Sequence, residues 1–217
     1  MLPDHTERFL AATAQSHTDV QAEMADLAAD QGFPIIGPAA GGVLRTLARL
    51  TDAETVFEFG SGFGYSASWF VRGGADRVVC TEFDADEAET GTNFMVEAGW
   101  DDRVDFEVGD ALEAVEAFDG PFDVVLIDNE KHRYVEAFEA TKPRLADGGV
   151  VVADNMMEGP IDLGDLLAYV EDGVDLPPDD KETRGIASYV DAVRADDAFE
   201  TVLLPVGSGI AVSTHVD

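Results

Sequence analysis

Basic residues are scarce in this chain. Its 217 residues include 13 lysines and arginines against 45 aspartates and glutamates, which gives a formal net charge of −32. Such a surface repels the phosphates of nucleic acids and anionic membranes, and this argues against both as partners. Because the acidic residues are spread along the whole length, we interpret them as a halophilic adaptation to high intracellular salt. An acidic surface for a basic partner is the alternative.

Cysteine and long apolar runs are scarce as well. Cys80 is the only cysteine, so no intrachain disulfide can form, and its place in an apolar run predicts a buried small hydrophobe. No apolar stretch approaches the roughly 18 residues that a membrane-spanning helix needs. The first residues, Met1 to Asp4, show neither the basic nor the apolar segment of a signal peptide. We therefore expect a cytoplasmic protein.

The middle of the chain alternates between strand and helix patterns. Strand patterns occupy residues 55–59, 77–82, 103–108, 122–127 and 149–153, and helical patterns lie between them at 65–72, 84–98, 111–118 and 131–145. This alternation predicts an α/β fold of parallel βαβ units with helices on both faces of a sheet. Two further strand patterns, at 200–206 and 209–214, predict a closing antiparallel hairpin.

The length and composition predict one domain over residues 1–217. Residues 1–50 form its helical cap, with surface helices before residue 30, a loop at 32–42 and a helix at 43–50. Residues 51–217 form the core. The stretch 171–185, which contains two prolines and two aspartates in succession, predicts a long surface loop near the site.

A glycine-rich turn follows the first strand. Gly60, Gly62 and Gly64 let the backbone turn sharply and approach a ligand, with a helix N-terminus behind them. Nicotinamide, flavin and S-adenosylmethionine (SAM) sites all use such a turn. The G-x-G-x-G spacing differs from the G-x-G-x-x-G of dinucleotide sites, and Glu58 before the loop would oppose a pyrophosphate but suit a cationic methionyl group.

Acidic side chains recur where the strands end. Glu82 ends the second strand, about 20 residues past the glycine turn, where a carboxylate can accept from both ribose hydroxyls of a nucleoside. Asp110 follows the third strand and could reach an adenine ring. Because open α/β sheets bind ligands at the carboxyl ends of their strands, the recurrence predicts a nucleoside site at this edge.

The next two strand ends carry oxygen ligands and an amine. Asp128 ends one apolar run, the pair Asp154-Asn155 ends the next, and Lys131 follows Asp128 by three residues. Carboxylate and amide oxygens suit Mg²⁺, Ca²⁺ or Mn²⁺. A divalent cation beside a lysine can deprotonate a hydroxyl that both reach.

These motifs together resemble one enzyme family. The glycine turn with Glu58 and Glu82, the D-x-x-K-x-x-Y pattern from Asp128 to Tyr134, and Asp154-Asn155 resemble the metal-dependent O-methyltransferases of the catechol and caffeoyl-CoA type. The resemblance covers nearly the whole chain. It implies a Rossmann-like, seven-stranded SAM-binding fold, a divalent cation, usually Mg²⁺, and methyl transfer to one hydroxyl of a catechol-like or hydroxycinnamoyl-like acceptor.

The resemblance also implies roles for individual residues. Asp128, Asp154 and Asn155 would be the metal ligands, and Lys131 the general base. The contacts to SAM would come from Ile36, Gly37, Glu58, Gly60, Ser61, Gly62, Gly64, Tyr65, Ser66, Glu82, Phe83, Asp110, Ala111 and Asp128. Few basic residues are present to hold the phosphates of a CoA ester, which favours a smaller, free acceptor.

Several alternatives stay open at this point. A nicotinamide-dependent oxidoreductase would share the strand-to-helix turn, although the glycine spacing and Glu58 argue against it. A non-catalytic SAM-binding protein would share the fold, and so would an RNA methyltransferase, against which the net charge argues. Pairing of two subunits through the N-terminal helices follows by analogy only.

Overall fold

The apolar runs form one seven-stranded sheet in the structure, a computed structural model that describes residues 3–216. The strands are β1 (Thr55–Phe59), β2 (Arg77–Glu82), β3 (Val104–Val108), β4 (Phe122–Ile127), β5 (Leu145–Ala153), β6 (Phe199–Leu204) and β7 (Ile210–His215). Their order is β3-β2-β1-β4-β5-β7-β6. The first five are parallel, and β7 is antiparallel to both of its neighbours. The predicted mostly parallel sheet with a C-terminal hairpin is confirmed.

Helices cover both faces of this sheet in the described chain. They are α1 (Asp4–Thr13), α2 (Asp19–Gln31), α3 (Gly37–Leu50), α4 (Tyr65–Gly73), α5 (Ala85–Ala98), α6 (Ala111–Val115), α7 (Tyr134–Thr141), α8 (Leu163–Asp172) and α9 (Lys181–Ala195). Short 3₁₀ turns at Lys131–Arg133 and Lys142–Arg144 flank α7. Met1 and Leu2, on which part of the signal-peptide prediction rests, and Asp217, the last residue of the predicted domain, lie outside the described residues.

The central strands are buried on both faces because a hydrophobic cluster lies on each side of them. Along β4, for example, Val124 and Leu126 pack into one cluster and Val125 and Ile127 into the other. This explains the unbroken Val/Ile/Leu content of the strand, which is typical of a central parallel position. Cys80 on β2 is fully buried, as predicted.

The structure differs from the predicted elements in the segment before β1 and in the segment after β5. Helix α3 begins at Gly37, inside the predicted loop, because Pro38 stands in the first helical turn, where its missing N–H costs nothing. The loop predicted at 171–185 is shorter, since α8 extends to Asp172 and α9 begins at Lys181. Neither helix was assigned from the sequence, although α9 buries one face that includes Ile186, Tyr189 and Val193.

No helix within residues 3–216 combines the length and the apolar character that crossing a lipid bilayer requires.

The acidic surface should make folding depend on salt. With a net charge of −32, self-repulsion opposes the compact state, and screening shortens its reach from about 30 Å at 0.01 M to about 3 Å at 1 M salt. We expect far-UV circular dichroism to show loss of helix on dialysis from molar KCl into dilute buffer, and recovery when salt is restored. An unchanged spectrum across the titration would contradict this prediction.

Candidate functional site

The carboxyl ends of β1, β4 and β5 meet at one edge of the sheet. Ile127 on β4 is paired with Phe59 on one side and with Ala153 on the other, so the residues that follow leave the sheet side by side. A cavity of about 720 Å³ opens above them. Its volume is within the range of small-molecule sites, about 300–1,000 Å³.

Most of the predicted site residues line this cavity. They are Ile36, Gly60, Ser61, Gly62, Tyr65, Ser66, Glu82, Phe83, Asp110, Ala111, Asp128, Lys131, Asp154 and Asn155. Three others, Gly37, Glu58 and Gly64, are not among the lining residues. Gly64 ends the turn immediately before α4, and Gly37 begins α3.

The glycine turn lies directly beside Asp128. Gly60 has a φ of +79°, and a Cβ on it would approach the Asp128 carbonyl oxygen to 2.8 Å, so both conformation and space require glycine. The Gly62 N–H donates to Glu82 Oε2 over 2.8 Å, which joins the turn to the end of β2. The turn is therefore fixed between the two neighbouring strand ends and holds its backbone against the cavity.

Glu58 lies beneath the glycine turn and not in the cavity. Its side chain is fully buried, the Cys80 thiol donates to its Oε2 over 3.4 Å, and its Oε1 has no hydrogen-bond partner among the described residues. Burial raises the pKa of Glu58 to about 7, although Ser66 and Cys80 donate toward it. This carboxyl is thus placed to support the turn from below.

Asp110 and Arg133 form a bidentate ion pair at another side of the cavity. The two guanidinium nitrogens lie 2.9 and 3.1 Å from the two carboxylate oxygens, and Asp110 also accepts from the Leu112 N–H at the start of α6. The hydrogen bond from Arg133 lowers the pKa of Asp110. Sequence reasoning missed Arg133, whose only signal is its position within the D-x-x-K-x-x-Y pattern.

Lys131 is folded back onto the end of β4. Its Nζ donates to Asp128 Oδ1 and to the Asn129 carbonyl oxygen, each over 3.0 Å, and the residue is only 6% exposed. Burial raises the pKa of Asp128, and the ammonium group of Lys131 opposes that shift. The predicted base and one predicted metal ligand are therefore in direct contact.

Asp154 and Asn155 stand beside this pair. Asp154 is 3% exposed, and its Oδ1 has no hydrogen-bond partner among the described residues. Burial, with the adjacent Asp128 carboxylate, raises the pKa of Asp154. Asn155 has a φ of 55°, a left-handed conformation that asparagine tolerates, and the Tyr134 hydroxyl donates to the Asp154 carbonyl oxygen over 3.1 Å.

The chemistry of these side chains suits a hard cation. No cluster of three or more His, Cys, Asp and Glu residues arranged for a metal occurs between residues 3 and 216, and this group offers two carboxylates and one amide. A buried carboxylate oxygen without a partner, next to a second carboxylate, is nevertheless a position that positive charge would stabilise. The residues present therefore fit a divalent cation with oxygen ligands.

Further residues line the cavity, from the side of α9 and from the segment before α3. Glu182, Gly159, Pro160 and Ser208 line it, together with Phe33 and Pro34 from the segment before α3. Sequence reasoning assigned none of them, because Gly159 and Pro160 have only the character of a loop and Glu182 lies in the stretch read as irregular.

Comparison with known proteins identifies the family. A family model described as O-methyltransferase matches residues 14–216. The chain is 34% identical over 177 residues to a catechol O-methyltransferase of Mycobacterium tuberculosis, an alignment that covers 78% of each chain. It is 32% identical over 137 residues to a catechol O-methyltransferase of Niastella koreensis, which covers 59% of this chain and 62%, less than two thirds, of that protein.

A solved structure has the same fold as this chain. An O-methyltransferase from Streptomyces achromogenes, in complex with SAM, covers 100% of both chains with a TM-score of 0.84 at 23% identity, a likeness that shows the fold alone. The family match instead rests on nearly the whole sequence, and it confirms the resemblance of the motifs to the O-methyltransferases. The chain therefore belongs to the O-methyltransferase family.

Proposed function

We propose that this protein transfers a methyl group from SAM to one hydroxyl of a small catechol-like acceptor, with the help of a divalent cation such as Mg²⁺. The observation that carries the proposal is the partnerless, buried Oδ1 of Asp154 beside Asp128 and Lys131 in the cavity. Family membership favours this activity over the nicotinamide-dependent oxidoreductase. The presence of Lys131 together with the oxygen ligands favours it over a non-catalytic SAM-binding protein.

The glycine-turn side of the cavity would hold SAM. The backbone of the turn borders the cavity at Gly60 and Gly62, Tyr65 and Ser66 begin α4 behind it, and Glu82 can still accept from a ribose hydroxyl. In addition, six carboxylates of the cavity lining face only two cationic side chains. That excess of negative charge favours a donor that carries a sulfonium and an ammonium group.

The residues at the ends of β4 and β5 would activate the acceptor. Asp128, Asp154 and Asn155 would hold the cation, which when bound supplies Lewis-acid activation of an acceptor hydroxyl. Lys131 Nζ, held by Asp128 and the Asn129 carbonyl, would take up the hydroxyl proton once it is in its neutral form. The acceptor oxygen would then attack the sulfonium methyl in line, the S–CH₃ bond would break, and the sulfur would leave as a neutral thioether; alignment by the cavity walls would supply much of the rate.

The charge of the cavity also bears on the acceptor. Both cations of the lining are already paired with its own carboxylates, Lys131 with Asp128 and Arg133 with Asp110. Neither is free to bind the phosphates of a CoA ester, so a small free catechol is the better match.

The first test is methyl transfer from labelled SAM to catechol, caffeate and caffeoyl-CoA in high salt, with Mg²⁺ and then with EDTA. We expect turnover of the small acceptors with Mg²⁺ and a fall of at least about 100-fold in EDTA, since the Lewis acid contributes several kcal/mol. Asp154→Ala should show the same loss. Asp147→Ala, a matched change at an exposed position on β5, should not. Equal rates with and without EDTA would refute metal assistance.

A further inference from the structure

The first turn of α9 packs against the 3₁₀ turn at Lys131–Arg133, here called the Lys131 turn. Glu182 Oε2 accepts a hydrogen bond from the Lys131 backbone N–H over 3.0 Å, and Glu182 Oε1 lies 3.3 Å from His132 Nδ1. The side chain of Glu182 is only 21% exposed, and it also lines the cavity. The lysine is thus held on two sides, with its ammonium group bound by the strand end and its backbone bound by α9.

One turn further along α9, Gly185 allows the helix to approach this closely. A Cβ at Gly185 would lie 2.3 Å from the Lys131 carbonyl oxygen and 2.6 Å from the His132 Cα, distances that no side chain can occupy. Residues 182 and 185 are on one face of the helix, because positions three apart are neighbours on its surface. Helix α9 therefore contacts the Lys131 turn at two successive levels, through the Glu182 side chain and through the backbone at Gly185.

The same helical turn also holds the opposite wall of the cavity. Thr183 is fully buried, and its Oγ1 accepts from the Asp162 backbone N–H over 2.8 Å. The segment 155–162 that ends there contributes Gly159 and Pro160 to the cavity lining. Residues 182 and 183 thus fix the Lys131 turn and the segment 155–162 relative to each other.

We infer that Glu182 is a positioning residue for methyl transfer, and that its carboxylate sets the place of Lys131 by binding the lysine backbone N–H. The inference rests on the proposed function, in which Lys131 takes the acceptor proton. An ion pair with Lys181 is a weaker explanation for the position of Glu182. Lys181 Nζ lies 3.5 Å away and its side chain is 68% exposed, and exposed ion pairs contribute little to stability. The bond to a buried backbone donor is the stronger contact, because an ionised acceptor strengthens it.

The test compares Glu182→Met, which keeps the volume but removes the acceptor, with Glu182→Gln, which keeps a carbonyl oxygen. We expect Glu182→Met to lower kcat about 10- to 100-fold, with KM for SAM within threefold of wild type, because a small misplacement of a reacting group is enough. Glu182→Gln should recover most of the rate. Glu200→Met, on the exposed edge strand β6, controls for loss of a carboxylate.

Amide hydrogen exchange at Lys131, followed by NMR, supplies a readout that needs no turnover. It should speed up at least 10-fold in Glu182→Met and stay near wild type in Glu182→Gln; Glu182→Ala repeats the measurement if the methionine variant does not fold. If the wild type methylates no acceptor, the proposed function fails, and the exchange rates then decide only whether Glu182 holds the Lys131 backbone. Unchanged exchange at Lys131 and a kcat within twofold of wild type in Glu182→Met would overturn it.

Discussion

Replacing Lys131 by alanine should lower kcat for catechol methylation by about 10²- to 10⁴-fold, the usual contribution of a positioned general base. The affinity for SAM should change little, since the ammonium group of Lys131 donates to Asp128 and to the Asn129 carbonyl and not to the glycine turn. Single-turnover methyl transfer from labelled SAM measures the first quantity, and equilibrium binding of SAM measures the second. The expected result is an enzyme that is loaded but inactive.

One further variant tests whether Lys131 acts as a base or only through its positive charge, and another is its control. Lys131→Arg keeps a cation beside Asp128 but cannot release its proton near neutral pH, so it should be as inactive as the alanine variant. Lys142→Ala, at a lysine paired with Glu139 and Asp196 away from the cavity, should keep wild-type rates. Substantial activity in Lys131→Arg would show that the lysine acts through its charge and would remove it as the base.

Local sequence signals were sufficient to predict which strand ends meet at the cavity. Asp128, Asp154 and the glycine turn follow strands whose apolar runs mark them as central, and parallel strands bring their carboxyl ends to one edge. The prediction needed only strand positions and that rule. The family match over residues 14–216 then agreed with the family that the motifs resemble.

The walls of the site could not be predicted in the same way. Glu182 reaches the cavity through packing of α9 against a turn some 50 residues earlier in the chain, and no spacing in the sequence encodes that contact. Arg133 was unassigned because its pairing with Asp110 depends on a 3₁₀ turn that rotates it toward α6. Glu58 could be assigned to a motif, but its orientation could not be predicted. A position in a motif does not reveal whether the side chain faces the cavity or the layer beneath it.

Glu58 should give the protein a stability that falls as pH rises through the neutral range. Burial raises the pKa of Glu58 from an ordinary 4.5 to about 7, so between these values the folded state holds a proton that the unfolded state has released. The free energy of unfolding contributed by this group is therefore constant below pH 4.5. It then declines by about 3 kcal/mol up to pH 7 and is constant again above it.

Glu58→Gln should remove this part of the pH dependence, because an amide of nearly the same shape stays neutral in both states. Urea unfolding at pH 5 and pH 8, in fixed molar salt with EDTA, should show a wild-type difference larger than that of the variant by about 3 kcal/mol. Asp154 titrates in the same direction and is present in both proteins, so its contribution cancels in the comparison. Glu200→Gln, at an exposed carboxylate on β6, should keep the wild-type difference. Equal pH dependence in wild type and Glu58→Gln would mean that the buried carboxyl is already ionised in the folded protein at pH 5. The polar groups beneath the glycine turn would then have to stabilise that charge.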